Sequence, residues 1–406
     1  VFIFDKNILE QLKDNSSLQL DKRVIFIYQA IEKLKLELIK LGSDLVVIYD
    51  EPLPAFRQLL KKFEIKHVYT NHDYEPYAIA RDEKIKSYLA EHSISFHTFK
   101  DQCIFEKNEV VKKDGTPYTV FTPYRKKWLE CLTINGITTY NSAQLFVNFL
   151  KTTEVSQLIS LHEMGFEDLS IDFPSPSISL EAILKYGERR DFPALEGTSR
   201  LGIHLRFGII SIRKLLIYAN DHKCNTFVNE LIWRDFYMMI LFQFPYVANK
   251  SFKSDYDNIQ WLNDENLYNL WCEGRTGYPI IDAGMRELNA TGYMHNRVRM
   301  IVASFLVKDL LVDWRWGESY FAKMLLDFEM SSNNGGWQWA AGCGCDAAPY
   351  FRVFNPELQA KKFDPQGIYI RKWIPEFDSL DYPIPIINHA WAKERTLKVF
   401  SAALKK

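Results

Sequence analysis

The chain has 406 residues, a formal net charge of −1 and 47% hydrophobic residues. That length exceeds one ordinary core and predicts two domains. The near-zero charge excludes a protein that is basic overall, so any contact with nucleic acid must be a local patch. No apolar run is long enough to span a membrane, and no signal-peptide pattern is visible. The six cysteines are scattered, and only Cys343 and Cys345 lie close together. With no partner at zinc spacing they predict no metal site, and they read as reduced thiols of a cytoplasmic protein.

Residues 1–100 alternate between strand and helix patterns. Val1–Phe4 is a short apolar strand, and because the chain opens inside it, upstream sequence is expected. Asp21 is placed to cap a helix in which Ile27, Ile31, Leu34, Leu38 and Leu41 follow helical spacing, with Gly42 as its stop. Leu45–Tyr49, His67–Thr70 and Ile94–Phe99 read as strands; Pro54–Phe63 and Pro76–His92 read as helices. Strands separated by amphipathic helices predict a doubly wound, Rossmann-like parallel sheet. Neither the dinucleotide glycine fingerprint nor the P-loop occurs, so those phosphate loops have no support. Asp114-Gly115, between Phe105–Lys113 and Thr116–Val120, predicts a hairpin, and Pro123–Leu132 a helix. The first domain is set at 1–135. Residues 136–179, polar and broken by Pro174 and Pro176, are predicted to connect the domains over a surface.

From Leu180 the pattern is helical, over Glu181–Tyr186, Ile209–Asn220, Phe227–Phe242, Ile281–Ala290, Arg297–Leu311 and Glu318–Leu326. An all-α second domain is predicted over 180–406. Nine of the ten Trp lie after residue 230, which suggests that the two halves have different work.

Four stretches of this half are unusual. Residues 196–202, Glu-Gly-Thr-Ser-Arg-Leu-Gly, offer amides, hydroxyls and a guanidinium before a helix. They fit an anionic diphosphate, or a plain helix cap by Thr198 or Ser199. Glu230, Trp233, Arg234 and Tyr237 share one side of a helix and make a poor core face, but a good wall for a planar polar ligand. The alternative is a solvated ion pair beside a packed Trp. Arg297 and Arg299 bracket an apolar residue and so point different ways, one free to pair inside with Asp327. His295 reads as a structural histidine. In Asn333–Trp339, Asn-Asn-Gly-Gly-Trp-Gln-Trp, the i,i+2 tryptophans cannot share one helical face, and a Gly-containing turn between helices is the plain reading.

These motifs resemble those of the photolyase/cryptochrome family in order and spacing. The set is Thr198–Leu201, Asn229–Tyr237, Gly277–Ala283, Met294–Met300, Asn333–Trp339 and Pro349–Pro356. The resemblance is closest to microbial class I cyclobutane pyrimidine dimer photolyases. It is dense over residues 180–375 and looser, at the level of fold, over 1–135. It implies FAD, folded into a U within the helical domain, and light-driven electron transfer from reduced flavin to a pyrimidine dimer flipped out of ultraviolet-damaged DNA. It further implies that Tyr186 and Thr198, Ser199, Arg200, Leu201 and Gly202 cradle the FAD phosphates, with Arg234 assisting. Phe227, Glu230, Asn296 and Glu329 belong to the cofactor set. Arg299 pairs with Asp327 near the isoalloxazine, and Asn333 faces flavin N5, where an amide tunes protonation. The catalytic set is Glu230, Asn296, Met300 and Asn333. Trp233 and Trp339 stack on the flipped bases, and Arg190, Arg297 and Arg352 meet DNA phosphates. Trp337, Trp314 and Trp261 form an electron chain to the surface. Glu329 stands where many relatives have Asp.

Two departures bear on these expectations. The family's first strand, expected upstream of Val1, is absent; either sequence precedes Val1 or the sheet has lost an edge. Folate-binding relatives carry Asn-Glu after a Tyr-Glu pair, whereas Tyr74-Glu75 here is followed by Pro76, Tyr77 and Ala78. A deazaflavin or a second flavin is therefore favoured over methenyltetrahydrofolate as any antenna. The protein is expected to be a monomer. Two rivals are a six-four photoproduct photolyase, which would carry His at Asn296 and Met300, and a signalling cryptochrome.

Overall fold

The computed structural model describes residues 1–13 and 18–404. Residues 405–406, the end of the predicted helical domain, lie outside the described residues. The packing divides the chain into two compact units. One contains residues 1–102, 137–176 and 207–213; the other contains 103–136, 177–206 and the chain from Lys214 on.

In the first unit β1 (Phe2–Asp5) pairs in parallel with β2 (Val47–Asp50), joined through the helix Lys22–Lys40. Asp21 caps that helix by accepting from the Arg23 and Val24 amides, and Gly42 follows its end at φ 74°, as predicted. β3 (His67–Asn71) pairs in parallel with β4 (Ser95–Phe99), with the helix Pro76–Glu91 between them. The strand–helix–strand units match the α/β expectation. Among the described residues, however, the strands form two two-stranded sheets, not one continuous sheet.

Residues 136–179 are not a simple surface connection. Leu161, Met164 and Phe166 are buried with Phe4, Val24 and Ile25. Ser156 accepts from the buried Lys35 Nζ at 3.0 Å and donates to Asp44, which also pairs with Lys35. This polar stretch carries a few large apolar residues at irregular spacing, and they complete the first unit's core.

The predicted boundary at 135 also differs from the packing, because residues 103–136 sit in the helical unit. Asp235 is the reason. Its fully buried carboxylate accepts from the Ile104 amide at 3.1 Å, the Phe105 amide at 3.0 Å and Trp128 Nε1 at 2.9 Å. Burial pushes its carboxyl up to about 6. The expected hairpin is reduced to the turn at Asp114-Gly115 and one antiparallel bridge, Val111 to Pro117. Asp235→Ala should cost about 3–5 kcal/mol, since it leaves three buried donors unpaired. Urea unfolding of the variant measures this, and an unchanged midpoint would refute the assignment.

The second unit is helical, as predicted. Trp271, Ile281, Leu288, Val302, Leu306, Trp314 and Trp337 lie in its core. The predicted helix Arg297–Leu311 is an α-helix over Asn296–Ser304 that continues as a π-helical turn over Phe305–Asp309. The largest surprise is Asn333–Trp339, which is no turn but the middle of a helix, Met330–Ala341. Glu329 caps it by accepting from the Ser331 and Ser332 amides. Gly335 is required inside this helix, because a Cβ there would lie 2.2 Å from the Tyr237 ring. Asn334 and Gln338 are buried and both donate to the Val247 carbonyl at 3.0 Å.

Candidate functional site

The helical unit holds a cavity of about 440 Å³, within the range of small-molecule sites. Five short segments line it. Tyr186, Arg190, Asp191 and Thr198 come from the chain before the long helix Asn225–Gln243, and Glu230, Trp233, Arg234 and Tyr237 from that helix. Asn296, Arg297, Arg299, Met300 and Ala303 come from the helix His295 caps. Phe321, Leu325, Asp327, Phe328 and Glu329 precede the Met330–Ala341 helix, which adds Ser332, Asn333, Gly336, Trp337 and Trp339. Helical spacing aims Glu230, Trp233, Arg234 and Tyr237 to one side, as the sequence predicts.

Charge in the cavity is paired. Arg299 Nη2 bridges both Asp327 oxygens at 3.0 Å, while its Nε donates to the Met294 carbonyl at 2.8 Å. Gly202 packs against this pair, since a Cβ there would lie 2.8 Å from Asp327 Oδ2. Arg190 pairs with Glu230, and Arg297 with Asp191 at 2.7 Å. Burial pushes the Glu230 carboxyl up, and Arg190 offsets this only in part. Burial also pushes Glu329 up, but Arg234, Arg206 and the Ser331 and Ser332 hydroxyls outweigh it and hold the carboxyl below its ordinary value. The extra methylene of Glu329 is thus accommodated as a buried helix cap.

Asn333 is oriented by a residue outside the motifs. Its Nδ2 donates to the Glu318 carbonyl at 3.1 Å and to Glu318 Oε1 at 2.9 Å. Both amide protons are used, which leaves Oδ1 as an acceptor. Trp233 stacks on Phe121 with ring centroids 3.6 Å apart and planes 4° apart, so one indole face is covered. Trp337 is 2% exposed and Trp339 is half-buried with its ring 6.5 Å from Phe354. Both line the same cavity, yet their ring neighbours differ: Trp337 meets Phe321 and Trp271.

Other expected residues stand behind the cavity. Of Thr198–Gly202 only Thr198 lines it, with its hydroxyl 3.1 Å from the Tyr293 hydroxyl. Ser199 accepts from the Leu201 amide, Leu201 is core, and Arg200 lies over the Tyr293 ring with a positive φ of 52°. Phe227 is buried edge-on to Tyr186. Arg352 is exposed over Phe354, next to Trp339's neighbourhood. Trp314 is fully buried, and Trp261 is half-buried against Phe400. Sequence reasoning missed Glu318, Asp191 and Phe121. Asp191 follows Arg190 directly, and that charge pair was the only signal; nothing local marked the other two.

The cavity fits a large cofactor that is planar at one end and anionic at the other. A Cβ at Gly336 would meet nothing within 4 Å, so the helix backbone there is open to the cavity. Arg234 and Arg299 bring positive charge and Asn333 Oδ1 an acceptor.

Comparison with known proteins agrees. Residues 227–399 match the FAD binding domain of DNA photolyase, and residues 1–146 match DNA photolyase. A deoxyribodipyrimidine photo-lyase of Alkalihalophilus pseudofirmus is 38% identical, covering 92% of this chain and 87% of the relative. Among solved structures, an archaeal photolyase from Sulfolobus tokodaii with two FAD molecules superposes with TM-score 0.81 at 33% identity, covering 99% of this chain and 92% of the other. A class III photolyase from Agrobacterium tumefaciens superposes with TM-score 0.81 at 31% identity, covering 95% and 89%. The fold and site define an FAD-binding lyase of light-driven DNA repair. The chain belongs to the DNA photolyase family. Damaged DNA is its partner, and among the described residues no helix is long and apolar enough to cross a membrane.

Proposed function

We propose that the chain splits cyclobutane pyrimidine dimers in ultraviolet-damaged DNA under blue or near-ultraviolet light. The observation that supports this best is one cavity that joins a cofactor-type set, Arg299, Asp327 and Asn333, to two indoles and the half-buried Glu230 carboxyl. Bound, reduced FAD supplies the excited electron. Trp233, with one face on Phe121, leaves its other face for a flipped base, and Trp339 gives a second apolar surface. Tyr186, Thr198 and Arg234 hold the phosphates, and Ser199, Arg200, Leu201, Gly202 and Phe227 shape the wall behind them. Asn333 Oδ1 accepts an N–H at N5. Asn296 and Met300 complete the lesion pocket. Arg190, Arg297 and Arg352 meet DNA phosphates, the first two exchanging Glu230 and Asp191 for phosphate oxygens. Trp337, Trp314 and Trp261 relay electrons inward. The protein acts as a cytoplasmic monomer.

Any antenna is a flavin or deazaflavin rather than methenyltetrahydrofolate. Tyr77, where folate binders differ, donates its hydroxyl to Asp5 at 2.5 Å and serves the first unit's own structure.

Glu230, protonated, donates to a base carbonyl and stabilises the dimer's radical anion. Burial raises its pKa above the ordinary glutamate value, which favours the protonated form relative to an exposed carboxyl. Repair yield should fall as pH rises through that pKa, because the donor is lost. Glu230→Gln keeps a donor at every pH, so its profile should lack this limb. Quantum yield against pH for both proteins checks this; a variant profile with the same fall contradicts the role.

A further inference from the structure

One buried cation has no part in the cavity. Lys308 is 1% exposed, and among the described residues its ammonium makes one hydrogen bond, from Nζ to the Arg352 carbonyl at 2.8 Å. An ammonium has three donors, so a buried one resting on a single carbonyl is poorly compensated. A methionine would fill similar space without that penalty. Burial pushes the Lys308 pKa down to about 8; the Arg352 charge adds to this, and Asp309 and Cys343 oppose it.

The surrounding contacts fix both the lysine and what it holds. Lys308 lies in the π-helical turn Phe305–Asp309, a local geometry that often marks a functional site. The helix His389–Leu404 grips that turn: Thr396 donates its hydroxyl to the Lys308 carbonyl, Arg395 donates to the Asp309 carbonyl, and His389 meets the Asp309 carboxylate. Ser304, four residues before Lys308 and on the same side, accepts from the Phe354 amide at 3.5 Å. Lys308 and Ser304 therefore touch the two ends of the segment 352–354. Within that segment the exposed Arg352 guanidinium lies over the Phe354 ring, and Phe354 lies beside Trp339.

We propose that Lys308 is a positioning residue for DNA: by holding the Arg352 carbonyl it fixes the segment 352–354 and presents the Arg352 guanidinium to a DNA phosphate. This rests on the reading of Arg352 as a phosphate contact. A segment already fixed loses less freedom when the phosphate binds, so more of the contact energy appears as affinity. The charge matters because a hydrogen bond from an ammonium is stronger than one from a neutral amine. The groups that act on the ammonium are Arg352 from the segment it holds, Asp309 from its own turn and Cys343 from the stretch after the Met330–Ala341 helix. His389 and Arg395 meet Asp309 rather than Lys308. Above its pKa Lys308 becomes a neutral amine, its hold on Arg352 weakens, and DNA affinity falls.

The test uses FAD-loaded full chains and a duplex oligonucleotide with a single thymine dimer, bound in the dark so that no repair occurs. Flavin absorbance and circular dichroism establish loading and folding. Lys308→Met and Arg352→Ala should each weaken binding about tenfold and reduce the salt slope by about 0.9, the value of one phosphate contact. The double variant should lose no more than either single variant, because the two residues act in series. From about pH 7 to about pH 9 the parent's affinity should fall, whereas Lys308→Met should show no such fall. Parent-like affinity and slope in Lys308→Met, additive losses in the double variant, or a flat parent profile over that pH range would each overturn the proposal. The parent's pH profile needs no variant and decides alone if Lys308→Met does not fold. Parent-like binding by Arg352→Ala removes the phosphate contact and the Lys308 role with it, whereas loss in Arg352→Ala without loss in Lys308→Met removes the Lys308 role alone.

Discussion

Gly336→Leu should yield a well-folded protein that binds no FAD. The glycine sits inside the Met330–Ala341 helix, is exposed, and lines the cavity. A Cβ there meets no atom within 4 Å, so the substitution costs no clash in the protein itself. Replacing a mid-helix glycine by leucine removes a propensity penalty of about 0.5–1 kcal/mol, so the apoprotein should melt at or above the parent apoprotein's temperature. The isobutyl group would instead occupy space the cofactor needs. Flavin content after reconstitution should fall to near zero, with far-ultraviolet circular dichroism unchanged. Parent-like flavin content would show that the cofactor does not pass over Gly336. The neighbouring Gly335 makes the contrast: a Cβ there strikes the Tyr237 ring, so Gly335→Leu should fail to fold.

Arg299→Ala should have the next largest effect, on cofactor affinity and stability together. Arg299 holds Asp327 through two 3.0 Å contacts and the chain at Met294 through a third. The side chains of this pair are 24% and 23% exposed, so Asp327 would be left partly desolvated without a partner. Loss of one member of such a pair costs about 3 kcal/mol or somewhat less at this exposure. With the pair in its proposed place beside the cofactor, FAD affinity should drop about 100-fold, equivalent to about 2.7 kcal/mol. Fluorescence titration of the apoprotein with FAD and thermal unfolding measure the two effects. Arg299→Lys should recover part of the affinity but not the two-pronged contact. Equal affinity in parent and Arg299→Ala would remove this pair from the site.

The sequence and the structure differ in an instructive way around these residues. Periodicity identified most helices, and Asp21 announced its own cap by chemistry. Composition and motif order placed the cofactor half of the chain. Asn333–Trp339 was harder, because two glycines and two asparagines normally disfavour a helix. Tertiary contact overrides that: Gly335 is there for the Tyr237 ring, Asn334 for the Val247 carbonyl, and Glu329 supplies the cap. The i,i+2 spacing of Trp337 and Trp339 does send them to different neighbours, although both border the cavity. Glu318 orients Asn333 across a helix boundary, a contact no local pattern records. Phe121, which backs Trp233, is more than 100 residues away from it in the chain. Asp235 likewise draws the Ile104 and Phe105 amides into the helical unit, against the boundary predicted at 135. In each case a long-range polar or steric contact decided the outcome over local preference.

As proposed, this cavity with reduced FAD splits a cyclobutane dimer brought to Trp233 and Trp339. The most direct measurement of this is the absorbance of dimer-containing oligothymidylate, followed with FAD-loaded, pre-reduced protein under blue light. Absorbance at the thymine band should recover with illumination and stay flat in the dark. A flat trace under light, with flavin shown to be bound and reduced, would contradict it.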